Sequence, residues 1–277
     1  MIWRLINSGI HPAAMNMAVD EAIMLAHSKG EVPPTLRFYG WQPAAISLGY
    51  FQQGQKEIDI QECNRLGIDI VRRLTGGRGV LHEAECTYSI VVEENDPSIP
   101  STISASYRYF SKGLLAGLEQ LGISAQMSMP REAYSHAKPK RTSASSSACF
   151  DAPSHYEITY EGRKLVGSAQ VRKHGVILQH GSILLQFSPE KNAAVLGTGS
   201  LERKKAIAQI LARRATSIEE IVGRSVGWQE VYEVMKRAFA LVLGVELQEG
   251  CLSKNEVETS QELATLKYNQ SNWNMMR

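Results

Sequence analysis

The stretch from residue 72 to residue 82 constrains the fold more than any other part of the chain; it reads Arg-Arg-Leu-Thr-Gly-Gly-Arg-Gly-Val-Leu-His. Apolar residues on both sides predict two strands, joined by a turn that contains Gly76, Gly77 and Gly79. Because glycine has no Cβ, successive backbone N–H groups of such a turn can approach an anion or a carbonyl oxygen. Two interpretations are open at this point, a ligand-binding loop and a tight hairpin that binds nothing. Arg72 and Arg73 are either part of such a site or simply exposed charges.

Composition is that of an ordinary globular protein. The 277 residues are 43% hydrophobic and 21% charged, which excludes disorder throughout and allows a sizeable core. A net charge of +2 is too small to indicate a strongly basic face, so we expect no nucleic-acid partner. No apolar run reaches the ~18 residues that span a bilayer, and the N-terminus lacks a secretory pattern. We therefore expect a cytoplasmic protein with no membrane partner.

The four cysteines form no C-x-x-C pair, so the sequence indicates neither a zinc site nor a dithiol redox site. We expect no metal. Cys63, Cys86 and Cys251 are expected to be free thiols that behave as small buried hydrophobic residues. Cys149 differs, because it follows a serine run and precedes Lys164 by one predicted strand.

Hydrophobic periodicity predicts helices alternating with strands. Helices are predicted at residues 12–29, 58–66, 101–121, 206–212, 218–222, 228–243 and 254–268, and strands at 36–39, 45–50, 68–74, 86–92, 156–160, 164–173, 176–185 and 245–248. Short turns join the three strands between 156 and 185, which predicts antiparallel pairing there. With no repeat or long linker, this pattern predicts an α+β fold in which helices flank a mixed, largely antiparallel sheet, in a single domain of residues 1–277.

Two segments carry further expectations. The first helix has a polar side with Asn16, Asp20 and Glu21, which we expect to be a solvated face. Residues 130–148 are rich in serine, lysine and proline without periodicity, and we predict a mobile surface loop with Cys149 at its downstream end.

Several motifs together resemble the biotinyl/lipoyl protein ligase and transferase family across most of the chain. The family's first helix resembles Asn16-Met17-Ala18-Val19-Asp20-Glu21, and its ligand-binding loop resembles Arg72-Arg73-x-x-Gly76-Gly77-x-x-Val80-x-His82. The strand that bears the family's lysine resembles Gly162-x-Lys164-Leu165-x-Gly167-Ser168-Ala169-Gln170. Its closing segment resembles Tyr268 and Trp273-Asn274. The resemblance implies the catalytic-domain fold of that family. It also implies a set of substrate-binding residues, namely Arg72, Arg73, Leu74, Gly76, Gly77, His82, Gly167, Ser168 and Ala169.

Within the family, Ser147-Ala148-Cys149-Phe150 ahead of the lysine strand resembles the octanoyltransferases of the LipM type. This resemblance implies catalysis by Cys149 and Lys164 in lipoate biosynthesis. Cys149 would receive octanoate from octanoyl-acyl carrier protein as a thioester and pass it to a lysine on the glycine-cleavage H protein. A neighbouring ammonium lowers the pKa of a thiol, and Lys164 would play that part. Because one thioester replaces another, we expect no ATP and no other cofactor.

Three further expectations concern the substrate and the partners. Leu74, Val80 and Leu81 are predicted to line a slot for an eight-carbon chain, and His82 to lie in the pocket wall. Residues 138–141, Lys-Pro-Lys-Arg, are predicted to steer the acidic carrier and acceptor proteins by charge.

The sequence departs from the ATP-using ligases at two places, with Arg78-Gly79 instead of a small Gly-Ala pair and Glu83 where aspartate often follows the histidine. The chain also ends soon after Asn274, so we expect no accessory domain. Three alternatives stay open. They are an ATP-dependent lipoate–protein ligase in which Lys164 contacts an acyl-adenylate, an amidotransferase between lipoyl domains, and a non-catalytic module that binds acylated carriers.

Overall fold

The computed structural model describes residues 1–128 and 157–276. In these ranges the strands are β1 (Ile2–His11), β2 (Thr35–Trp41), β3 (Ala45–Leu48), β4 (Asp69–Arg72), β5 (Val80–His82), β6 (Glu85–Glu93), β7 (Gln126–Met127), β8 (Ile158–Tyr160), β9 (Arg163–Lys173), β10 (Val176–Leu184) and β11 (Glu246–Glu249). The helices are α1 (Ala13–Ser28), α2 (Gly54–Glu57), α3 (Ile60–Leu66), α4 (Ile103–Gln120), α5 (Pro189–Leu196), α6 (Leu201–Arg214), α7 (Ile218–Val222), α8 (Trp228–Leu243), α9 (Lys254–Leu263) and α10 (Ser271–Asn274), with a π-helical turn, Ala264–Tyr268, after α9.

Eight strands form the larger sheet in the order β11-β1-β2-β6-β10-β9-β8-β7. Only β1 pairs in parallel, with β11 and β2, and the remaining neighbours are antiparallel. Helices α4 and α8 pack against each other and bury Phe110, Leu114, Met235 and Phe239 in the main hydrophobic cluster. This arrangement confirms the predicted α+β fold with a mixed, largely antiparallel sheet and flanking helices.

The smaller sheet explains how the glycine turn is placed. Its strand order is β4-β3-β5, so β3 lies between the two strands that the turn connects. The turn is therefore a crossover past β3, and the tight-hairpin interpretation is wrong. Because β3 pairs with both neighbours, the backbone of residues 73–79 is held at one end of this sheet.

Most predicted elements are present, with boundaries shifted by a few residues. The pattern of residues 2–11 gave no strand prediction, yet β1 joins β11 and β2 in the large sheet. Helix α6 begins five residues before the predicted start, where the Ser200 hydroxyl accepts from the Arg203 N–H as an N-cap. The predicted loop at 130–148 lies outside the described residues.

No helix within residues 1–128 and 157–276 has both the length and the apolar composition to cross a bilayer.

Candidate active site

A cavity of about 430 Å³ lies between helix α1, the smaller sheet and strands β9 and β10. In the described ranges its wall comprises Met17, Tyr39, Trp41, Ser47, Arg73, Gly76, Gly77, Arg78, Val80, His82, Thr87, Gly167, Ser168, Ala169, Gln170, His180, Gly181 and Ser182. Seven of the residues predicted to bind substrate are therefore brought together, from two separate parts of the sequence: Arg73, Gly76, Gly77, His82, Gly167, Ser168 and Ala169.

The glycine turn packs directly on the end of β3. A Cβ built on Gly49 would lie 2.0 Å from the carbonyl oxygen of Gly77, which leaves room only for hydrogen. Gly77 itself has φ +96°, a backbone conformation that strongly favours glycine. A side chain there would also meet Arg73 Nη2 at 2.9 Å. The turn needs glycine to fit its own supports, and in this position its backbone forms part of the cavity wall.

Arg73 holds that turn in place through hydrogen bonds to its backbone. It is buried, Nε donates to Thr75 Oγ1 (3.0 Å), and Nη1 donates to the carbonyl oxygen of Ser47 (2.8 Å) and to Ser47 Oγ (3.0 Å). Nη2 donates to the carbonyl oxygens of Gly76 and Arg78, each at 2.8 Å. A guanidinium has five N–H groups, and these five contacts match that number. The side chain therefore acts mainly as a brace for the loop.

Arg72 is also buried and does not line the cavity. Its guanidinium donates to five backbone carbonyl oxygens, those of Gly49, Tyr50, Gln52, Trp273 and Asn274. The interpretation of the two arginines as exposed charges is thus wrong. Arg72 ties the C-terminal helix α10 to the loop after β3, away from the cavity.

His82 lies in the cavity wall, where the family resemblance predicted it. Its Nδ1 is 2.8 Å from Glu85 Oε1, and its Nε2 is 2.7 Å from Ser47 Oγ. The indole of Trp41 stacks on the imidazole with ring centroids 4.0 Å apart and an angle of 12°. The ring is therefore fixed at both nitrogens and on one face.

His180 forms a second buried histidine site in the wall. Its Nδ1 is 3.1 Å from Asp20 Oδ2, and its Nε2 is 2.8 Å from Thr75 Oγ1. Burial lowers the pKa of His180 below its usual value, although Asp20 acts in the opposite direction. Burial by itself would raise the pKa of Asp20, but Arg37 and His180 bring it below the usual value. The pair is therefore a neutral imidazole beside an ionised carboxylate.

The polar side of α1 is not a solvated face. Asn16, Asp20 and Glu21 are all buried. Arg37 Nη1 donates to Asp20 Oδ1 at 2.6 Å, and the hydroxyl of Tyr268 donates to Glu21 Oε2 at 2.6 Å. Helix α1 has β6, β10 and α9 as neighbours, so polar residues on that side meet polar partners instead of water. The expectation of a solvated face was wrong because a single helix pattern cannot show what covers it.

Strands β9 and β10 supply the far wall. Gly181 pairs with Ser168, and a Cβ on Gly181 would lie 2.4 Å from Ser168 Oγ and 2.8 Å from Tyr88 Cε1. The hydroxyls of Ser168 and Tyr88 are hydrogen-bonded at 2.8 Å. Ala169 and Gly167 are small neighbours on the same stretch of strand. Small side chains here leave the space that the cavity occupies.

Lys164 lies on the same strand as this wall but outside the described part of the cavity lining. It is buried, and its Nζ donates to Glu157 Oε1 at 2.6 Å. Its carbonyl oxygen accepts from the N–H of Thr216 at 2.9 Å. Ser168 is four positions further along the same strand, which is about 13 Å. The lysine therefore lies on the strand that leads to the cavity wall, and its ammonium group is held by a carboxylate.

The predicted apolar slot is only partly as expected. Val80 lines the cavity. Leu74 instead packs with Ile23, Val91 and their neighbours, because it points toward the opposite side of the glycine loop into a separate hydrophobic cluster. Leu81 does not line the cavity in the described ranges and packs in the hydrophobic cluster next to the smaller sheet, to which Val80 also belongs.

Cys149 lies outside the described residues. Of the others, Cys63 and Cys86 are buried, and burial raises the pKa of Cys63 to about 11 and that of Cys86 well above its usual value. Cys251 is exposed, so the expectation of a buried thiol was wrong there; a short loop after β11 cannot cover it.

Sequence reasoning missed several residues of the site. Trp41, His180 and Glu85 were not singled out, although two of them line the cavity and the third holds His82. One signal was available in β10, where His180 and Ser182 are two residues apart in a largely apolar strand. That spacing puts both on one face and indicates a polar site there.

The chain is similar to known proteins along most of its length. Residues 12–240 match the lipoyl protein ligase A/B catalytic domain family. Octanoyltransferase LipM of Kyrpidia tusciae is 47% identical over 98% of this chain and 98% of its own length. The LipM octanoyltransferase of Moorella thermoacetica is 46% identical over 98% and 97%.

A solved structure from Thermoplasma acidophilum, of a bi-partite lipoate protein ligase and its E2 lipoyl domain, has a TM-score of 0.81. It covers 99% of this chain and 96% of that chain at 24% sequence identity, which supports the fold alone. The chain belongs to the lipoyl protein ligase A/B catalytic domain family and, within it, to the octanoyltransferases of the LipM type.

Proposed function

We propose that this protein transfers octanoyl from octanoyl-acyl carrier protein to a lysine on the glycine-cleavage H protein, in lipoate biosynthesis. The acyl group passes through a thioester on Cys149, Lys164 assists, and residues 1–277 act as one catalytic domain in the cytoplasm. The observation that carries this proposal is the position of Lys164 next to the place where the described residues end before Cys149, at Ser128, and resume after it, at Glu157.

That place is defined by three residues. The N–H of Ser128 donates to the carbonyl oxygen of Glu157 (2.7 Å), and the N–H of Glu157 donates to Ser128 Oγ (3.1 Å). The carboxylate of the same Glu157 accepts from Lys164 Nζ. Ser128 and Glu157, the described residues that flank 129–156, are thus hydrogen-bonded to each other, and Glu157 also binds Lys164. Cys149 is eight residues before Glu157, a span of at most about 29 Å, so contact between its sulfur and the ammonium group is within reach.

The remaining cysteines are poor candidates for the nucleophile. The buried thiols of Cys63 and Cys86 have raised pKa values, which disfavours the thiolate. Cys251 lies beyond β11, where its carbonyl oxygen accepts from Arg4 Nη1, and it does not line the cavity in the described ranges. Cys149 is the cysteine left for acyl transfer.

The apolar residues of the cavity suit an acyl chain. Met17, Tyr39, Trp41 and Val80 contribute apolar surface to its wall, and the N–H groups of Arg73 already have protein acceptors. Burying the six methylenes of octanoyl contributes about 5 kcal/mol at ~0.8 kcal/mol each.

The proposed chemistry needs no external energy source. In the first step the Cys149 thiolate attacks the carrier thioester; the bond between its sulfur and the acyl carbon forms, the bond between the acyl carbon and the carrier sulfur breaks, and the carrier leaves as a thiol with the proton that Cys149 gave up. In the second step the acceptor amine attacks the acyl-enzyme, an amide forms, and the Cys149 sulfur leaves as a thiol. The ammonium group of Lys164 stabilises the thiolate, and backbone N–H groups of the Gly76–Gly77 turn face the oxyanion of each step.

Helix α6 offers a surface for the acidic protein partners. Arg203, Lys205 and Arg213 are exposed, and no ion pair to them is recorded in the described ranges. The helix ends at Arg214, two residues before the Thr216 N–H that binds the Lys164 carbonyl oxygen. A docked acidic carrier would therefore meet positive charge beside Lys164, which favours its approach and raises the association rate.

The test is intact-mass analysis after mixing the protein with octanoyl-acyl carrier protein. We expect an octanoyl adduct on the wild type and on the control Cys251→Ala, none on Cys149→Ala, and slower formation on Lys164→Ala. An octanoyl adduct that persists on Cys149→Ala would refute the proposal. Pyrophosphate release from ATP and lipoate would instead indicate a ligase, and octanoyl transfer only from an acylated H protein would indicate an amidotransferase.

Partner docking has its own test. Lys205→Glu with Arg213→Glu is expected to lower kcat/KM for the carrier substrate about tenfold at low salt, since long-range steering is lost. Lys112→Glu on α4, a helix that packs against α8, is the matched control. Equal kcat/KM values for both variants at low salt would contradict a docking role for α6.

A further inference from the structure

The carboxylate that holds His82 has no part in the proposed transfer, yet it is buried next to this residue of the cavity wall. Glu85 begins strand β6 and is 3% exposed. Its Oε1 accepts from His82 Nδ1 at 2.8 Å and from the hydroxyl of Thr87. Its Oε2 is buried with no hydrogen-bond partner in the described part of the chain. A buried, half-paired carboxylate is costly, which points to a specific task.

Three groups face the ring nitrogens of His82: Ser47 Oγ lies at Nε2, whereas Glu85 Oε1 (2.8 Å) and Ser182 Oγ (3.2 Å) lie at Nδ1. Arg73 Nη1 can only donate, so Ser47 Oγ accepts from it and its own proton is free to bind His82 Nε2. At the other nitrogen the carboxylate of Glu85 is the nearer contact and accepts, so Nδ1 carries the proton, and Ser182 Oγ can accept from the same N–H. In the neutral ring these requirements agree, and the chain runs from Arg73 through Ser47 and His82 to Glu85.

We propose that Glu85 is a positioning residue for the transfer: it holds His82 as the Nδ1–H tautomer, and thereby keeps the proton of the Ser47 hydroxyl bonded to Nε2. Because the Ser47 hydroxyl donates its proton to His82, its Oγ accepts from Arg73 Nη1. The Nη2 group of the same arginine donates to the carbonyl oxygens of Gly76 and Arg78. Glu85 does not line the cavity itself, so it acts through these neighbours.

A second array of the same design supports this reading. On the other side of Arg73, Nε donates to Thr75 Oγ1, which is 2.8 Å from His180 Nε2, and His180 Nδ1 faces Asp20. Each side therefore has the order arginine, hydroxyl, imidazole, carboxylate. Because both arrays end on the one guanidinium that supports the glycine turn, a wrong tautomer on either side disturbs the same loop.

The inference rests on the proposed octanoyl transfer for its kinetic test, so a second readout is chosen that does not. Glu85→Gln keeps the shape of the side chain but gives it an N–H₂ group that can donate to Nδ1, which moves the ring proton to Nε2. The matched control is Glu83→Gln, since Glu83 is exposed and pairs with Lys191 at the surface.

The first measurement is the ¹⁵N NMR spectrum of the histidine rings in the intact protein. We expect the Nδ1–H tautomer for His82 in the wild type and in Glu83→Gln, and the Nε2–H tautomer in Glu85→Gln. An Nε2–H tautomer in the wild type would overturn the inference whether or not octanoyl transfer occurs.

The second measurement is steady-state octanoyl transfer. Where a histidine acts directly as a base, the exchange of its carboxylate partner for an amide lowers kcat by ~10⁴. His82 acts only through the loop, so the effect should be smaller, and we expect kcat to fall by about tenfold to 100-fold. KM for the octanoyl donor should stay within about twofold of the wild type, because the cavity lining is unchanged.

Ser47→Ala breaks the same chain at its other end and keeps the test decisive if Glu85→Gln folds poorly. It should show the same loss in kcat; because Ser47 lines the cavity, KM is not a criterion for this variant. Kinetics of Glu85→Gln and Ser47→Ala equal to those of Glu83→Gln would refute the positioning role. If the wild type transfers no octanoyl at all, the proposed function fails, and the tautomer measurement still decides the role of Glu85.

Discussion

The buried ion pair between Arg37 and Asp20 allows a quantitative test of what holds helix α1 to the sheet. Arg37 is completely buried in β2, and its Nη1 donates to Asp20 Oδ1 at 2.6 Å. The same guanidinium donates to Asn16 Oδ1 (3.0 Å) and Ser8 Oγ (2.7 Å), and it lies 3.9 Å from the centre of the Tyr39 ring. The perturbation is Arg37→Leu, which removes the charge and leaves the Asp20 carboxylate buried.

The expected cost follows from the loss of one partner in a buried pair, about 3–5 kcal/mol. Domains have total stabilities of about 5–15 kcal/mol, so this is a large fraction. At roughly 2–4 °C per kcal/mol for chains of this size class, Tm should fall by about 6–20 °C. Loss of Arg37 also removes a cause of the lowered pKa of Asp20, so that pKa should rise.

The assay is urea unfolding followed by tryptophan fluorescence and circular dichroism. Arg65→Leu is the control, because Arg65 pairs with Glu62 at the surface and its side chain is 66% exposed. Exposed pairs contribute at most about 1 kcal/mol, so the control should change the free energy of unfolding very little.

A double variant separates the orphaned charge from lost packing. Arg37→Leu with Asp20→Asn leaves no unpaired carboxylate and should cost less than the sum of the two single changes. A loss below about 1 kcal/mol for Arg37→Leu, or strict additivity in the double variant, would refute the reasoning.

Three more predictions concern pH, the glycine turn and the acyl chain. The pKa of His180 in the fold is below its usual 6.5, so below pH 6.5 the unfolded chain binds a proton that the folded chain excludes. The contribution of neutral His180 to stability is therefore complete above pH 6.5 and is lost as pH falls below that value. The contribution of Asp20, whose pKa is also lowered, is lost only below its usual 3.8. Urea titrations from pH 8 to pH 5 check this, and equal stability at both ends would contradict it. Gly49→Ala should lower transfer activity more than tenfold, because the new Cβ would collide with the carbonyl oxygen of Gly77. The control is Gly67→Ala, where no non-neighbouring atom of the described residues lies within 4 Å of the new Cβ. Its φ of +64° should cost only about 1 kcal/mol of stability. Activity of Gly49→Ala near that of Gly67→Ala would contradict the packing argument. A hexanoyl donor lacks two methylenes and should bind about 15-fold more weakly than octanoyl, at ~0.8 kcal/mol each, if the chain is buried; equal KM values would place the chain outside the cavity.

Local patterns were enough to predict much of the architecture. Helix α8 and strands β9 and β10 were predicted closely, because a long stripe of apolar residues or a pair of strands with a short turn is decided by neighbours in sequence. The motif around Gly76 and the strand after Lys164 indicated which segments would form the site, and the cavity does lie between them.

The partners of the polar residues could not be predicted in this way. Asp20 and His180 are 160 residues apart, and Arg72 binds carbonyl oxygens 201 and 202 residues away. Whether a polar residue on a helix faces water or a buried arginine depends on which element covers it. No local periodicity contains that information.

The sequence by itself determined the class of fold, the elements that carry the motifs and the family, since these depend on short-range periodicity and on residue types at fixed spacing. Only the tertiary structure decided that the glycine turn crosses β3 and that buried Arg72 and Arg73 hold loops through hydrogen bonds. It also decided that two histidines of the cavity wall, His82 and His180, contact the buried carboxylates of Glu85 and Asp20. The physical reason is that buried polar groups must find partners, and those partners are chosen by long-range packing of the sheets and α1.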